Sequence, residues 1–464
     1  MVSVCIKSSY TVTPIHPTPN DPLWLSEFDQ LYHPAISFVS TVYVYKPNQN
    51  QSTIFSNATE IMRDSLSKIL VHYYPVAGRL RGIDGGRFEI DCNAKGVTML
   101  EAESTKTVDE YGDFLPREPI KELLPTLEVD LGTPMDDVPL MLVQLTRFRC
   151  GSLCVATKIS HSLFDGISGF HFIKSWTKIA RGEALEEDEM PFMDRTILKS
   201  RPPLMAPCIE HREFKPFPRL RGGTSGNKGD QAKKDTEVAL LELTSEQVGK
   251  IKNKANQVPN EHDTEVPLDR PYSRFESIAA HLWRSIAKAR QNDTHQPTLI
   301  VTIGDIRNRL KPQLPKNYIG NAIVQTVTPT CLTGDIISKP LSYVANKVRG
   351  VSDILTDEYI RSQLNILTSQ DRVDWVKSPI RSHEHIEDHF HGNPNIFLAS
   401  WLGMPVNGAD FGWGKPFHIV AGTFGGDGTI LIMPGLIEDG SLLILISLEI
   451  SHIEAFKTFF YEDI

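Results

Sequence analysis

Between His161 and Ser168 the chain reads HSLFDGIS, with an imidazole and a carboxylate four residues apart. A neutral imidazole can take a proton from a hydroxyl or an amine near pH 7, and a nearby carboxylate can orient the ring that does so. The spacing alone is weak evidence, because 15 histidines give roughly one such match by chance. The flanking residues say more. SLCVATKIS alternates like a strand and puts His161 at its C-terminal end, and Gly166 permits a sharp turn. Ile167, Phe170, Ile173, Trp176, Ile179 and Ala180 then repeat as one inward-facing helical stripe. An imidazole beside that helix's N-terminus feels the positive end of the dipole, which disfavours protonation and keeps it a base. Two readings of each residue stand: His161 as general base or as a satisfied interior histidine, and Asp165 as helix cap or salt-bridge anchor, or as the group that orients His161.

Other patterns carry less chemistry. There is no GxSxG, so His161 has no serine nucleophile on an elbow. Asp410-Phe411-Gly412 matches a kinase tripeptide, but no Gly-rich loop, VAIK-like lysine or HRD precedes it. There is no phosphate-binding P-loop, since Gly414-Lys415 is followed by proline. HEHIEDHFH at 383–391 could hold a metal or a cation, but its ligand types alternate without fixed helical spacing. It reads as a solvated acidic loop, and no metal or bound cofactor is expected. Cys5, Cys92, Cys150, Cys154, Cys208 and Cys331 lack CxxC spacing or a disulfide framework, which fits a reducing compartment.

The elements that must position these groups run through the whole chain. At 464 residues, two domains of roughly 200 residues each are expected. Strand-like runs at Phe38–Tyr45, Leu140–Phe148 and Ser152–Ser160 mix with helical patterns at 61–70 and 167–180, and GGRFEID reads as a hairpin. Residues 215–235 are rich in Gly, Pro and Lys without apolar periodicity. They read as a crossover linker between an N-terminal lobe, 1–214, carrying the HxxxD, and a C-terminal lobe, 236–464, carrying DFGWG at Asp410–Gly414. In the second lobe Thr244 and Gln247 pair as a capping box, RPYSRFESIAAHLWRSIAKAR is helical, and TILIMPGLIEDGSLLILISLEI is a hairpin. Ser451 and Glu454 are expected to cap a last helix. The class is mixed α/β. Net charge is -9 with no long basic block, which argues against a nucleic-acid partner. No signal peptide and no apolar run near 18 residues is present, so a cytoplasmic protein without a membrane span is expected.

DFGWG at Asp410–Gly414 is a different kind of evidence, because a specified five-residue string arises by accident at roughly one position in millions. With HSLFDG it resembles the plant BAHD acyl-CoA-dependent acyltransferase family. The likeness extends through LSEFDQL at 25–31, YPVAGRL at 74–80, RGE at 181–183, DIRNRLKPQLPKNYIGN at 305–321 and Ser400-Trp401. That resemblance implies a two-lobed fold related to chloramphenicol acetyltransferase, with a channel between the lobes and His161 at its centre. Acyl-CoA would enter as co-substrate by one mouth and the acceptor by the other, in a chain expected to be monomeric. His161 would deprotonate the acceptor as it attacks the thioester. Asp165 would turn toward an arginine, with Arg307 ahead of Arg309. Asp410, Phe411, Gly412, Trp413 and Gly414 would be architectural, and the Trp401 indole would help hold the oxyanion, its alternative being a core aromatic.

The runs HSLFDGISGFHFIKSWTKIARGE and IEAFKTFFYEDI look most like spermidine hydroxycinnamoyl transferases. The expected reaction is therefore transfer of a hydroxycinnamoyl group from CoA to spermidine nitrogens, with O-acylation of shikimate, quinate or another alcohol as the alternative. Relatives that acylate shikimate or quinate carry an Arg shortly before the Pro-Asn of HGNPN, where this chain has His391-Gly392. Glu387, Asp388 and Asp427 are the carboxylates expected for a polyamine, with His391 nearby. Phe38 stands where relatives often carry a channel-lining His, with His33 upstream, and that role is not carried over.

Overall fold

The computed structural model describes residues 3–32, 37–47, 55–126, 133–200, 209–220, 235–257, 270–369, 392–435, 437 and 439–464. Two six-stranded sheets organise them. The first runs, in spatial order, Val4–Val12, Val97–Ser104, Met141–Phe148, Leu153–Ser160, Phe38–Tyr45 and His418–Ala421. Neighbours pair antiparallel except Val97–Ser104 with Met141–Phe148, which are parallel. The sheet is rich in β-branched and aromatic residues, and one face is covered by the helices Ala58–His72 and Gly166–Ala180. Met62, Leu66, Ile69, Phe172 and Trp176 from those helices pack on Tyr43, Val143, Leu145 and Val155 of the strands.

The second sheet runs Ile323–Val327, Ile300–Asp305, Ile396–Ser400, Thr429–Pro434, Leu442–Glu449 and Thr236–Leu243. All eight residues of Leu442–Glu449 are buried, because both faces of this strand are covered. The helix Arg274–Arg290 opens with a capping box, Ser273 with Glu276, and joins the terminal helix Ile450–Glu462 over the sheet. The expected Thr244–Gln247 box and the hairpin of Thr429–Pro434 on Leu442–Glu449 are present. The last helix begins two residues earlier than expected. Glu449 is its N-cap, Ser451 lies inside it, and no side chain caps it.

The division at residues 214 and 236 needs correction. DFGWG is not part of a C-terminal lobe. Ala409, Phe411, Trp413 and Ile419 belong to the first hydrophobic core, and His418–Ala421 adds the sixth strand to the first sheet. In exchange, Phe28 and Leu198 pack with Ile306, Leu310, Tyr318 and Ile360 of the second half. Residues 221–234 of the expected linker lie outside the described residues. Among the described residues, no helix is long and apolar enough to cross a membrane, Cys5, Cys92, Cys150, Cys154 and Cys331 are free thiols, and no cluster could hold a metal ion.

Candidate active site

His161 is the first residue after the strand Leu153–Ser160, and its backbone N–H donates to the Ser37 carbonyl at 2.8 Å. The helix Gly166–Ala180 follows one tight turn later. Asp165 is its N-cap, accepting from the Ser168 amide at 2.8 Å through Oδ1. The same carboxylate takes three more bonds. Arg307 Nη2 donates to Oδ1 at 3.0 Å, Arg307 Nη1 lies 2.9 Å from Oδ2, and the Ala322 amide donates to Oδ2 at 2.9 Å. Burial pushes the Asp165 carboxyl up, but the Arg307 guanidinium and the two amides outweigh it and hold the group below the ordinary carboxylate range. Each oxygen of Asp165 is therefore satisfied by Arg307 and a backbone amide, and none is spent on His161.

The imidazole is held by other residues. Asn321 is fully buried, and its amide nitrogen donates both to the His161 carbonyl at 2.8 Å and to Asp29 Oδ1 at 2.9 Å. Those two oxygens only accept, so the amide nitrogen of Asn321 must face them and its oxygen must face the ring. His161 Nδ1 lies 3.2 Å from that oxygen. Nδ1 consequently carries the proton, and the lone pair resides on Nε2, the tautomer suited to a general base. Asp29 is itself fixed, with Arg195 Nη1 at 3.2 Å and both side chains fully buried. Arg195 also donates to the Leu163 carbonyl at 2.8 Å, tying this network to the turn between His161 and Asp165. Gly320 lets the chain fit: a Cβ there would come within 2.9 Å of the Tyr318 hydroxyl and 3.0 Å of Arg195 Nε, and its φ is +152°. Tyr32 stacks on the imidazole at 3.6 Å and 13°, restricting its tilt.

The remaining sequence candidates fall into four groups. DFGWG is a clasp behind the site helix. Asp410 Oδ1 accepts from the amides of Gly412 and Gly414 at 2.8 and 2.9 Å, and Arg181 donates to the Asp410 carbonyl. Phe411 lies against Trp176 at 5.0 Å, and Trp413 against Tyr45 at 5.4 Å. Trp401 is half-buried and packs edge-on against Phe170 of the site helix at 5.2 Å. Asp427 is not available to a cation as expected. Arg290 holds Oδ2 at 2.8 Å with the Asn393 amide at 2.7 Å, and the Glu449 amide holds Oδ1 at 3.0 Å. Glu387, Asp388 and His391 lie outside the described residues.

Sequence reasoning passed over Asn321, Asp29 and Arg195 as site residues. The first two sit inside stretches that carried the family likeness, NYIGN and LSEFDQL, but neither has a chemically active side chain at a telling spacing. Nothing short of the fold places them 292 residues apart on one hydrogen bond.

Residues 2–463 match the Transferase family. The chain belongs to that family, the BAHD acyltransferases. It is 41% identical over 464 residues to hydroxycinnamoyl-CoA:piscidic acid hydroxycinnamoyltransferase of Actaea racemosa, covering 99% of this chain and 100% of the relative. It is 35% identical to shikimate O-hydroxycinnamoyltransferase of Nicotiana tabacum, covering 98% and 99%. It is 33% identical to hydroxycinnamoyl-CoA:5-hydroxyanthranilate N-hydroxycinnamoyltransferase HHT4 of Avena sativa, again covering 98% and 99%. Among solved structures, vinorine synthase superposes with a TM-score of 0.71 at 18% identity, covering 97% of this chain and 96% of that one. F. graminearum TRI101 complexed with coenzyme A and T-2 mycotoxin gives 0.75 at 18%, covering 94% and 97%. These likenesses fix the two-lobed α/β acyltransferase fold.

Proposed function

We propose that this protein transfers a hydroxycinnamoyl group from its CoA thioester to a hydroxyl or amine of a small acid-bearing acceptor, with His161 as general base. The observation that carries the reading is the locked tautomer: Asn321 holds Nδ1–H, so Nε2 has the lone pair. Nε2 takes the acceptor proton as the oxygen or nitrogen attacks the thioester carbonyl. The tetrahedral intermediate collapses with loss of the CoA sulfur, which takes that proton back from the imidazolium. No acyl-enzyme is required. The Trp401 indole N–H, with no protein acceptor among the described residues, is the proposed oxyanion donor. Asp165 and Arg307 hold the turn.

Three relatives support an acid acceptor, since the compounds in their names are piscidic acid, shikimate and 5-hydroxyanthranilate. The second reading is spermidine, carried by the likeness of HSLFDGISGFHFIKSWTKIARGE and the terminal IEAFKTFFYEDI to spermidine transferases. It has lost Asp427 as a counter-charge. Incubation with coumaroyl-CoA and separate shikimate, anthranilate and spermidine, followed by mass spectrometry, decides between them. Transfer to an acid, abolished in His161→Ala, is expected. Acylation of spermidine alone would overturn the first acceptor, and activity surviving in His161→Ala would overturn the mechanism.

A further inference from the structure

Next to His161, on the face of the first sheet opposite the two helices, lies a set of polar groups without a hydrogen-bond or ion-pair partner among the described residues. Phe38 pairs with Ser160 and Ser40 with Lys158, so side-chain alternation puts all four on one face. The Ser40 and Ser160 hydroxyls are buried without a hydrogen-bond partner among the described residues, with Ser40 1% and Ser160 0% exposed. Lys158 is half-buried, and no carboxylate pairs with it among the described residues. Its ammonium lies 5.3 Å from the centre of the Phe38 ring, and burial lowers its pKa. A partly buried ammonium without a counter-ion and two orphaned hydroxyls are each costly. All three can donate, and a carboxylate accepts from each.

The patch borders the reacting group. Ser160 immediately precedes His161, and the Ser37 carbonyl just before Phe38 takes the His161 amide. The Gly422 amide donates to the Ser40 carbonyl at 2.8 Å, bringing the chain that leads to Phe424 and the Trp401 cluster over the same edge.

The geometry points to Lys158, with Ser40 and Ser160 beneath it, as the subsite that binds the carboxylate of the acceptor. This rests on the acyl transfer proposed above and names the residue that selects the acceptor. The acid docks its carboxylate on Lys158 and presents its hydroxyl or amine toward Nε2 of His161. The Phe38 ring forms the apolar wall beside that charge. A polyamine at the same place would meet like charge.

The test uses coumaroyl-CoA with shikimate, anthranilate, their methyl esters and spermidine, on the wild type, Lys158→Met and Lys158→Glu. The wild type is expected to favour acid over ester by about 10- to 100-fold in kcat/KM, the worth of one hydrogen-bonded charge contact. Lys158→Met should raise KM for the acid far more than it lowers kcat and bring the acid-to-ester ratio close to one. Lys158→Glu should move preference toward spermidine, an inversion that mere loss of packing does not produce. Circular dichroism checks folding. An unchanged acid-to-ester ratio in Lys158→Met overturns the subsite, as does a wild type that acylates spermidine or esters but no acid. Absence of transfer to every acceptor, with wild type and His161→Ala alike, overturns the reaction itself and the subsite with it.

Discussion

Asp165→Asn separates a structural from a chemical role for the acid of HxxxD. In the wild type, the carboxylate neutralises Arg307 and accepts from two backbone amides within a buried site. Asparagine keeps one oxygen for the Ser168 amide, so the cap largely survives. Its NH2 must then face the Ala322 N–H or the guanidinium, donor against donor. Removing one partner of a buried ion pair costs about 3–5 kcal/mol. Arg307 retains Asp305 at 3.0 Å, a partner more than a third exposed, which places the loss near the lower end. A loss of about 3 kcal/mol in a lobe of about 200 residues lowers Tm by about 6–12 °C. The assay is thermal unfolding by near-ultraviolet circular dichroism, alongside single-turnover acyl transfer at 10 °C, where the variant is still folded. A large drop in Tm with at least a tenth of the wild-type rate is expected. Asp165→Leu combined with Arg307→Met should recover part of the lost stability, because no buried charge is left unpaired and Asp305, which loses Arg307, is more than a third exposed. A Tm within 2 °C of wild type with a rate more than 100-fold lower would refute the structural role.

Asn321→Leu deprives His161 Nδ1–H of its acceptor and should lower kcat about 10- to 100-fold. Asn321→Asp should instead raise the pH at which kcat/KM reaches half its plateau, since a carboxylate on Nδ1–H favours the imidazolium; an unmoved profile would show that Asn321 does not set the base. His281 donates to the Phe460 carbonyl at 2.8 Å, and burial brings its pKa down to about 4. The unfolded chain binds that proton near pH 6.5, so stability should fall by a few kcal/mol as pH drops from about 6.5 to 4. His281→Gln should flatten that slope in urea melts, and an identical slope would assign it to other groups. The depressed carboxyl of Asp165 contributes stability that is complete above about pH 4 and is lost as pH falls through its folded value. Asp410→Ala removes the acceptor for two glycine amides and should lower Tm while leaving KM for acyl-CoA unchanged. A rise in KM with Tm unchanged would place the loop at the substrate.

The local chemistry of this protein is legible in its sequence. The alternation of SLCVATKIS, the stripe from Ile167 to Ala180 and the Asp165 cap follow from periodicity and capping rules that act within a few residues. DFGWG and its companion runs identify the family, and Arg307 follows from that likeness. Three things belong to the tertiary structure alone. The clasp of Phe411 and Trp413 crosses from the second half into the first core, although every linear cue assigns it to the second lobe. Asp427, a plausible carboxylate for a cation, is already spent on Arg290, 137 residues away. The imidazole of His161 is oriented by Asn321 and Asp29 rather than by the aspartate four residues along. A helix cap is decided by neighbours in the chain, but the direction of a buried hydrogen bond depends on which acceptors and donors the fold has left without water, and only the folded chain determines that.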